Sequence, residues 1–133
     1  MSTEATRTRS FLTKLQATPG AVVTKYNDRS TSGIPDASVT WGGRTIWMEF
    51  KHRTAGDDRP FAELLKEHRR AKLQAMMIWC LYQASDGRAF FILFEPDDRL
   101  SIYQVDNPAQ LKFTLWRTGR TDQMVNWLLW SCC

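Results

Sequence analysis

Apolar and polar residues alternate along two short runs, Ala37 to Trp41 and Thr45 to Lys51, with Gly42-Gly43 between them. A period of two is the mark of strands with one face buried, and a two-residue Gly-Gly link is that of a tight hairpin. With those glycines as the loop, Trp41 faces Arg44, Val39 faces Ile46 and Ala37 faces Met48; one step further, Asp36 faces Glu49. One face then reads Ala37, Val39, Ile46, Met48 and Phe50, which predicts core. The other reads Asp36, Ser38, Thr40, Thr45, Trp47, Glu49 and Lys51, so two carboxylates and an ammonium meet at the hairpin's open end.

The flanking pattern predicts an α/β chain. From about Thr3 to Gln16, Phe11, Leu12 and Leu15 form an apolar helical stripe, capped by Ser2 or Thr3 and ended by Pro19-Gly20. Val22 to Tyr26 reads as a strand, and the polar stretch Asn27 to Gly33 as a loop opening beside Asp36. After Lys51, an Asp followed by Pro60 starts a helix, with Phe61, Leu64 and Leu65 spaced for one turn. The polar Glu67-His68-Arg69-Arg70 then either continues that helix or breaks it before Ala71 to Gln83, which is apolar on nearly all sides. Phe90 to Phe94 and Leu100 to Val105 read as further strands joined by a turn at Glu95-Pro96-Asp97-Asp98. Leu111 to Trp116 suggests an edge strand, Arg117 to Thr121 a basic loop, and Met124 to Trp130 a terminal helix packing on its own domain, with a symmetric dimer contact as the alternative.

A chain of 133 residues suits one domain with a real core. Its longest apolar run, Ala75 to Tyr82, is too short to span a bilayer, and no secretory signal opens the chain, so a cytoplasmic, membrane-free protein is expected. Three cysteines give no disulfide framework: Cys80 sits in an apolar run and reads as a buried thiol, and Cys132 and Cys133 carry no metal or redox spacing. With two histidines and no C-x-x-C, a zinc site is not expected. The net charge of +4 favours a polyanionic partner. Eight of the eighteen Lys and Arg residues fall between Arg44 and Lys72, where a groove for a phosphate backbone would lie beside the carboxylates. Lys25, Arg29, His52, Arg53, Arg69 and Arg70 are the candidate nucleic-acid contacts, although Lys25 and Arg29 equally suit a polar connector. His68 reads as a solvated helix residue.

Two adjacent acids repel unless a proton or a cation lies between them. Mg²⁺ or Mn²⁺ resolves that conflict with oxygen ligands, retained waters and substrate phosphate oxygens, and such a centre hydrolyses phosphodiesters. The plainer alternative is an exposed, salt-bridged strand end in which Lys51 neutralises one acid.

Pro35-Asp36, with Glu49-Phe50-Lys51 beginning thirteen positions after Asp36, resembles the PD-(D/E)xK nuclease signature. Ser32-Gly33-Ile34-Pro35-Asp36 and Arg44-Thr45-Ile46-Trp47-Met48-Glu49-Phe50-Lys51 look most like the VRR-NUC and Holliday-junction-resolvase-like group. The resemblance implies a restriction-endonuclease-like mixed sheet flanked by helices in α-β-β-β-α-β order, with 106–133 as an extension beyond it. It implies that Asp36, Glu49 and the carbonyl of Phe50 bind the metal and that Lys51 is catalytic. An acid on the first helix often completes the site in that group, and Glu4 is the one available; a helix-start charge explains it equally well. A glutamine early in the following helix matches Gln74, whose amide would orient Lys51 or a phosphate, with Gln83 as the fallback.

The expected function is a metal-dependent DNA endonuclease. Without a visible base-reading module, branched or structured DNA such as junctions and flaps is the expected partner, and a homodimer would supply two sites for two strands. A sequence-specific restriction-type nuclease and a non-catalytic nucleic-acid binder are the alternatives.

Overall fold

A computed structural model describes residues 4–26 and 34–130. The Gly42-Gly43 link folds as predicted: both glycines take positive φ (61° and 79°), the left-handed conformation that suits the right-handed twist of a two-residue hairpin. It joins β2 (Ala37–Trp41) to β3 (Arg44–His52) with Trp41 opposite Arg44, Val39 opposite Ile46 and Ala37 opposite Met48. β1 (Val22–Lys25) adds antiparallel to β2, completing the three-stranded unit.

The chain before the hairpin begins with α1 (Glu4–Gln16). After it come α2 (Phe61–Lys66), α3 (Ala71–Ala84), β4 (Ala89–Glu95), β5 (Arg99–Asn107), β6 (Lys112–Arg120) and α4 (Thr121–Trp130). Six strands form one mixed sheet in the order β1-β2-β3-β4-β5-β6. Every pairing is antiparallel except β3 with β4, which the α2–α3 crossover makes parallel. Central strand β4 is buried on both faces, which is why Ala89 to Phe94 reads as unbroken apolar sequence with no alternation.

Alternation splits the sheet into two cores. On one face, Phe11, Leu12 and Leu15 of α1 and Met124, Val125, Leu128 and Leu129 of α4 pack on Val39, Met48, Phe90, Ile92 and Ile102. On the other, Phe61 and Leu65 of α2 and Ala71, Ala75 and Ile78 of α3 pack on Phe91, Leu93 and Val105. Each large apolar side chain so enclosed contributes about 1.5–3 kcal/mol. The second face is also the one that carries Glu49 and Lys51, and α3, which packs across β3, β4 and β5, roofs the candidate site.

Several expectations change. The polar Glu67-His68-Arg69-Arg70 segment separates two helices. Its side chains are all exposed, leaving no apolar anchor to hold a continuous helix on the sheet. Arg117 to Arg120 is not a basic loop: β6 continues to Arg120, paired with Arg99, because backbone pairing to β5 outweighs the polarity of its solvent-facing side chains. Residues 106–130 are no appendage, since β6 extends the sheet and α4 fills the core against α1 as its own-domain packing required. Cys80 is exposed, not buried. It lies nine residues after Ala71, half a revolution from the stripe Ala71, Ala75 and Ile78 that meets the sheet. Arg29, Gly33, the rest of loop 27–33, the Ser2 or Thr3 cap and Cys132-Cys133 lie outside the described residues. No helix among the described residues is long and apolar enough to cross a membrane.

Candidate active site

Asp36 ends the chain's approach to β2, and its backbone extends the ladder by one step. Its N–H donates to the Met48 carbonyl at 3.1 Å and its own carbonyl accepts from Tyr26 N–H at 2.9 Å. This holds the Asp36 side chain beside Glu49, and its Oδ2 accepts the Phe50 N–H at 2.8 Å. A strand residue's N–H and C=O point to the same sheet edge, so the Phe50 carbonyl also faces the Asp36 side.

Glu49 and Lys51 lie two residues apart on one face of β3, opposite Phe91 and Leu93 of β4. Both are deeply buried, Glu49 4% and Lys51 8% exposed. Among the described residues neither makes an ion pair within 4.0 Å, and Glu49 Oε1 is buried with no hydrogen-bond partner. The salt-bridged, solvent-exposed strand end is therefore not what forms. The Asp36 backbone relieves the carboxylate in part, but an oxygen taken out of water without a donor is costly in its charged state. Burial, reinforced by the negative charge of Asp36, pushes Glu49 up to about 8 against the partial relief offered by Lys51. Burial pulls the Lys51 ammonium below its ordinary range, opposed by the charges of Glu49 and Asp36. The pair is held in the low-dielectric environment in which proton affinities become adjustable.

Gln74 sits on the sheet-facing stripe of α3, three residues after Ala71 and four before Ile78, and its Oε1 is likewise buried without a partner among the described residues. Gln83 lies at the exposed far end of α3, away from that position. His68, in the exposed link between α2 and α3, is close enough for the positive charge of Lys51 to reinforce the effect of burial in lowering its pKa. This proximity is invisible in sequence, because it depends on how far α2 carries the chain back over the sheet.

The third carboxylate is not gathered in. Among the described residues no three His, Cys, Asp or Glu side chains converge as a metal-holding group. Helix α1 packs on the opposite face of the sheet through Phe11, Leu12 and Leu15, and the charge of Glu4 at its start acts on both His52 and His68. His52 stacks on Phe94 at 4.6 Å and shares a hydrogen bond of 3.3 Å with Thr8 Oγ1, so α1 holds it on that opposite face.

Arg53 is a structural clamp. Its Nε donates to Glu95 Oε1 at 2.5 Å and its Nη1 to the carbonyls of Asp57 and Arg59 at 3.1 and 2.6 Å, which ties the loop after β3 to β4. Glu95 also accepts Ser101 Oγ at 2.7 Å. The neighbouring Arg59 is spent in the same way on Asp57 and Glu67. By contrast Lys25, Arg69 and Arg70 are exposed and make no ion pair among the described residues.

Sequence reasoning placed Trp47 on the face of the acids but missed its stacking partner, Tyr26. Tyr26 and Trp47 stack with centroids 6.0 Å apart and planes 27° from parallel, on the face that carries Asp36 and Glu49. The place of Tyr26 depends on the β1–β2 register, which sets Lys25 opposite Ala37 and so Tyr26 opposite Asp36, and no local pattern encodes that pairing.

The donors fit a hard divalent cation. Two carboxylates at neighbouring ladder positions, one with a buried unpartnered oxygen, offer the oxygen ligands that Mg²⁺ takes alongside water. Neither the family models nor the curated proteins compared with this sequence give a match.

Proposed function

We propose that this protein is a metal-dependent DNA endonuclease built on a restriction-endonuclease-like core. The observation that carries the proposal is Glu49: a carboxylate 4% exposed, beside a second acid, with an oxygen that no described donor satisfies. A merely structural residue in that position would destabilise the fold for no return, and a site for a cation gives the arrangement its reason.

Asp36, Glu49 and the Phe50 carbonyl would hold Mg²⁺ or Mn²⁺, which supplies an activated water and Lewis-acid stabilisation of a phosphoryl oxygen. The chain's own part is electrostatic. Lys51 presents a cation to the negative charge that builds on the phosphate oxygens as water adds to phosphorus and the bond to the leaving oxygen breaks. Its burial strengthens that attraction relative to a surface lysine. The buried amide of Gln74 orients Lys51 or the phosphate, and Phe50 N–H fixes the Asp36 carboxylate. Arg69 and Arg70, exposed and unpaired among the described residues, receive the flanking phosphate backbone at the entrance to α3.

Cleavage of hairpins, flaps, four-way junctions and plain duplex in Mg²⁺ and Mn²⁺ tests the proposal. Activity that EDTA, Asp36→Asn and Lys51→Ala each abolish supports it. DNA binding with no cleavage under either metal overturns it in favour of a non-catalytic binder, and cleavage confined to one duplex sequence favours a restriction-type enzyme.

A further inference from the structure

We infer that Tyr26 and Trp47 form a platform on which an unpaired nucleobase stacks beside the bond to be cut, so the site accepts single-stranded segments and flaps in preference to intact duplex. The inference rests on the nuclease reading of Asp36, Glu49 and Lys51 and adds to it the class of DNA.

Position is the first argument. Trp47 opposes Ser38 in the hairpin and stands two residues from Glu49 along β3, a separation of about 7 Å. Tyr26 continues β1 one step beyond Lys25, and its N–H donates to the Asp36 carbonyl at 2.9 Å. Both rings therefore occupy the ladder positions next to the two acids, on the same face. A phosphate held at those acids leaves its neighbouring nucleotide above the aromatic pair.

Rigidity is the second. The Tyr26 hydroxyl is bound to Ser38 Oγ at 3.0 Å, and Ser38 is buried. The inner side of Trp47 packs against the core beneath α2 and α3. Each ring is fixed by a contact on its protein side, yet both keep partial exposure, unlike Phe90, Phe91 and Phe94, which are closed off entirely. A pair held in a stacked orientation before binding loses little side-chain freedom when a base extends the stack.

Chemistry is the third. This face of the hairpin is otherwise polar or charged, with Asp36, Ser38, Thr40, Thr45, Glu49 and Lys51. A large aromatic surface among phosphate-directed groups matches the recognition of single strands, in which bases stack on exposed rings without regard to sequence. In a paired duplex the base faces are already covered by their neighbours, so only an unpaired nucleotide can use the platform.

A short oligothymidylate carrying one 2-aminopurine, titrated with the full chain in EDTA, reads stacking without cleavage. Quenching is expected, with Trp47→Leu weakening binding about tenfold and Trp47→Phe retaining most of it. Blunt-duplex binding should be the same for all three proteins. Equal oligothymidylate affinity for wild type and Trp47→Leu, or an equal loss on single strand and duplex, overturns the platform. Should circular dichroism show Trp47→Leu unfolded, Tyr26→Leu is read in the same assay, and unchanged affinity there overturns it. Trp47-dependent quenching by a protein that cuts no DNA in Mg²⁺ or Mn²⁺ removes the nuclease reading and leaves a single-strand binder. Cleavage that ignores Trp47 on flap and duplex alike removes the platform and leaves the nuclease.

Discussion

The Phe50 N–H donates to Asp36 Oδ2 across 2.8 Å, so the first acid of the candidate site is anchored by the strand that carries the second. Asp36→Asn keeps an acceptor for that N–H and should fold with near-wild-type stability while losing cleavage. Asp36→Ala leaves the N–H without its partner and should lose cleavage and, in addition, about 1–3 kcal/mol in urea unfolding. Equal stability of the two variants would show that the anchor does not matter to the fold.

Glu49 makes the metal-free protein sensitive to pH. Its folded pKa is raised from 4.5 to about 8, by burial first and then by the charge of Asp36. Between those values the folded chain holds a proton that the unfolded chain releases, so stability falls as pH rises through the window. The slope from this group is at most about 1.4 kcal/mol per pH unit. Thermal unfolding in EDTA should show Tm declining across the window in wild type, and far less in Glu49→Gln. Mn²⁺ should raise Tm more at pH 8 than at pH 5.5, because a ligand carboxylate must be ionised.

Lys51→Ala removes the cation that acts on both acids among the described residues and should cost about 10²–10³ in cleavage rate, as loss of a group that meets developing charge does. Because the Lys51 charge lowers the Glu49 pKa, the variant should also need higher pH for half-maximal Mn²⁺ binding. Calorimetric titrations at several pH values measure that displacement.

The arginines separate by role. Arg53→Ala strands the partly buried Glu95 and should cost about 2 kcal/mol or more of stability. Arg69→Ala and Arg70→Ala should leave stability within about 0.5 kcal/mol. Each should reduce the salt dependence of DNA binding by about one unit of slope. Urea unfolding and binding titrations over a range of salt distinguish the two groups.

Glu4→Gln should leave cleavage close to wild type, since α1 lies across the sheet from Glu49 and Lys51. A large defect in the cleavage assay would mean that Glu4 swings round the sheet's end to join the acids.

The hairpin was legible because two kinds of local information coincide there: alternation fixes which side chains share a face, and two glycines at positive φ fix the pairing. The burial of Glu49 and Lys51 was not legible, since the helix that roofs them comes from a segment whose course over the sheet no local pattern encodes. Cys80 misled for a related reason. The apolar composition of α3 hides which stripe faces inward, and Leu73, Met76 and Cys80 all face out. The role of Arg53 depended on Glu95, forty-two positions away, which parallel pairing of β3 with β4 brings alongside.

The two-glycine link has a consequence for how this chain can vary. Side chains exchange faces at every step along β3, so a slip of one residue in its pairing with β2 would carry Glu49 and Lys51 into the oily layer beneath α1 and turn Met48 and Phe50 toward the roof. A slip of two would keep the faces but part Glu49 from Asp36. A change at this corner is therefore tolerated only where the loop absorbs it and the strands keep their partners.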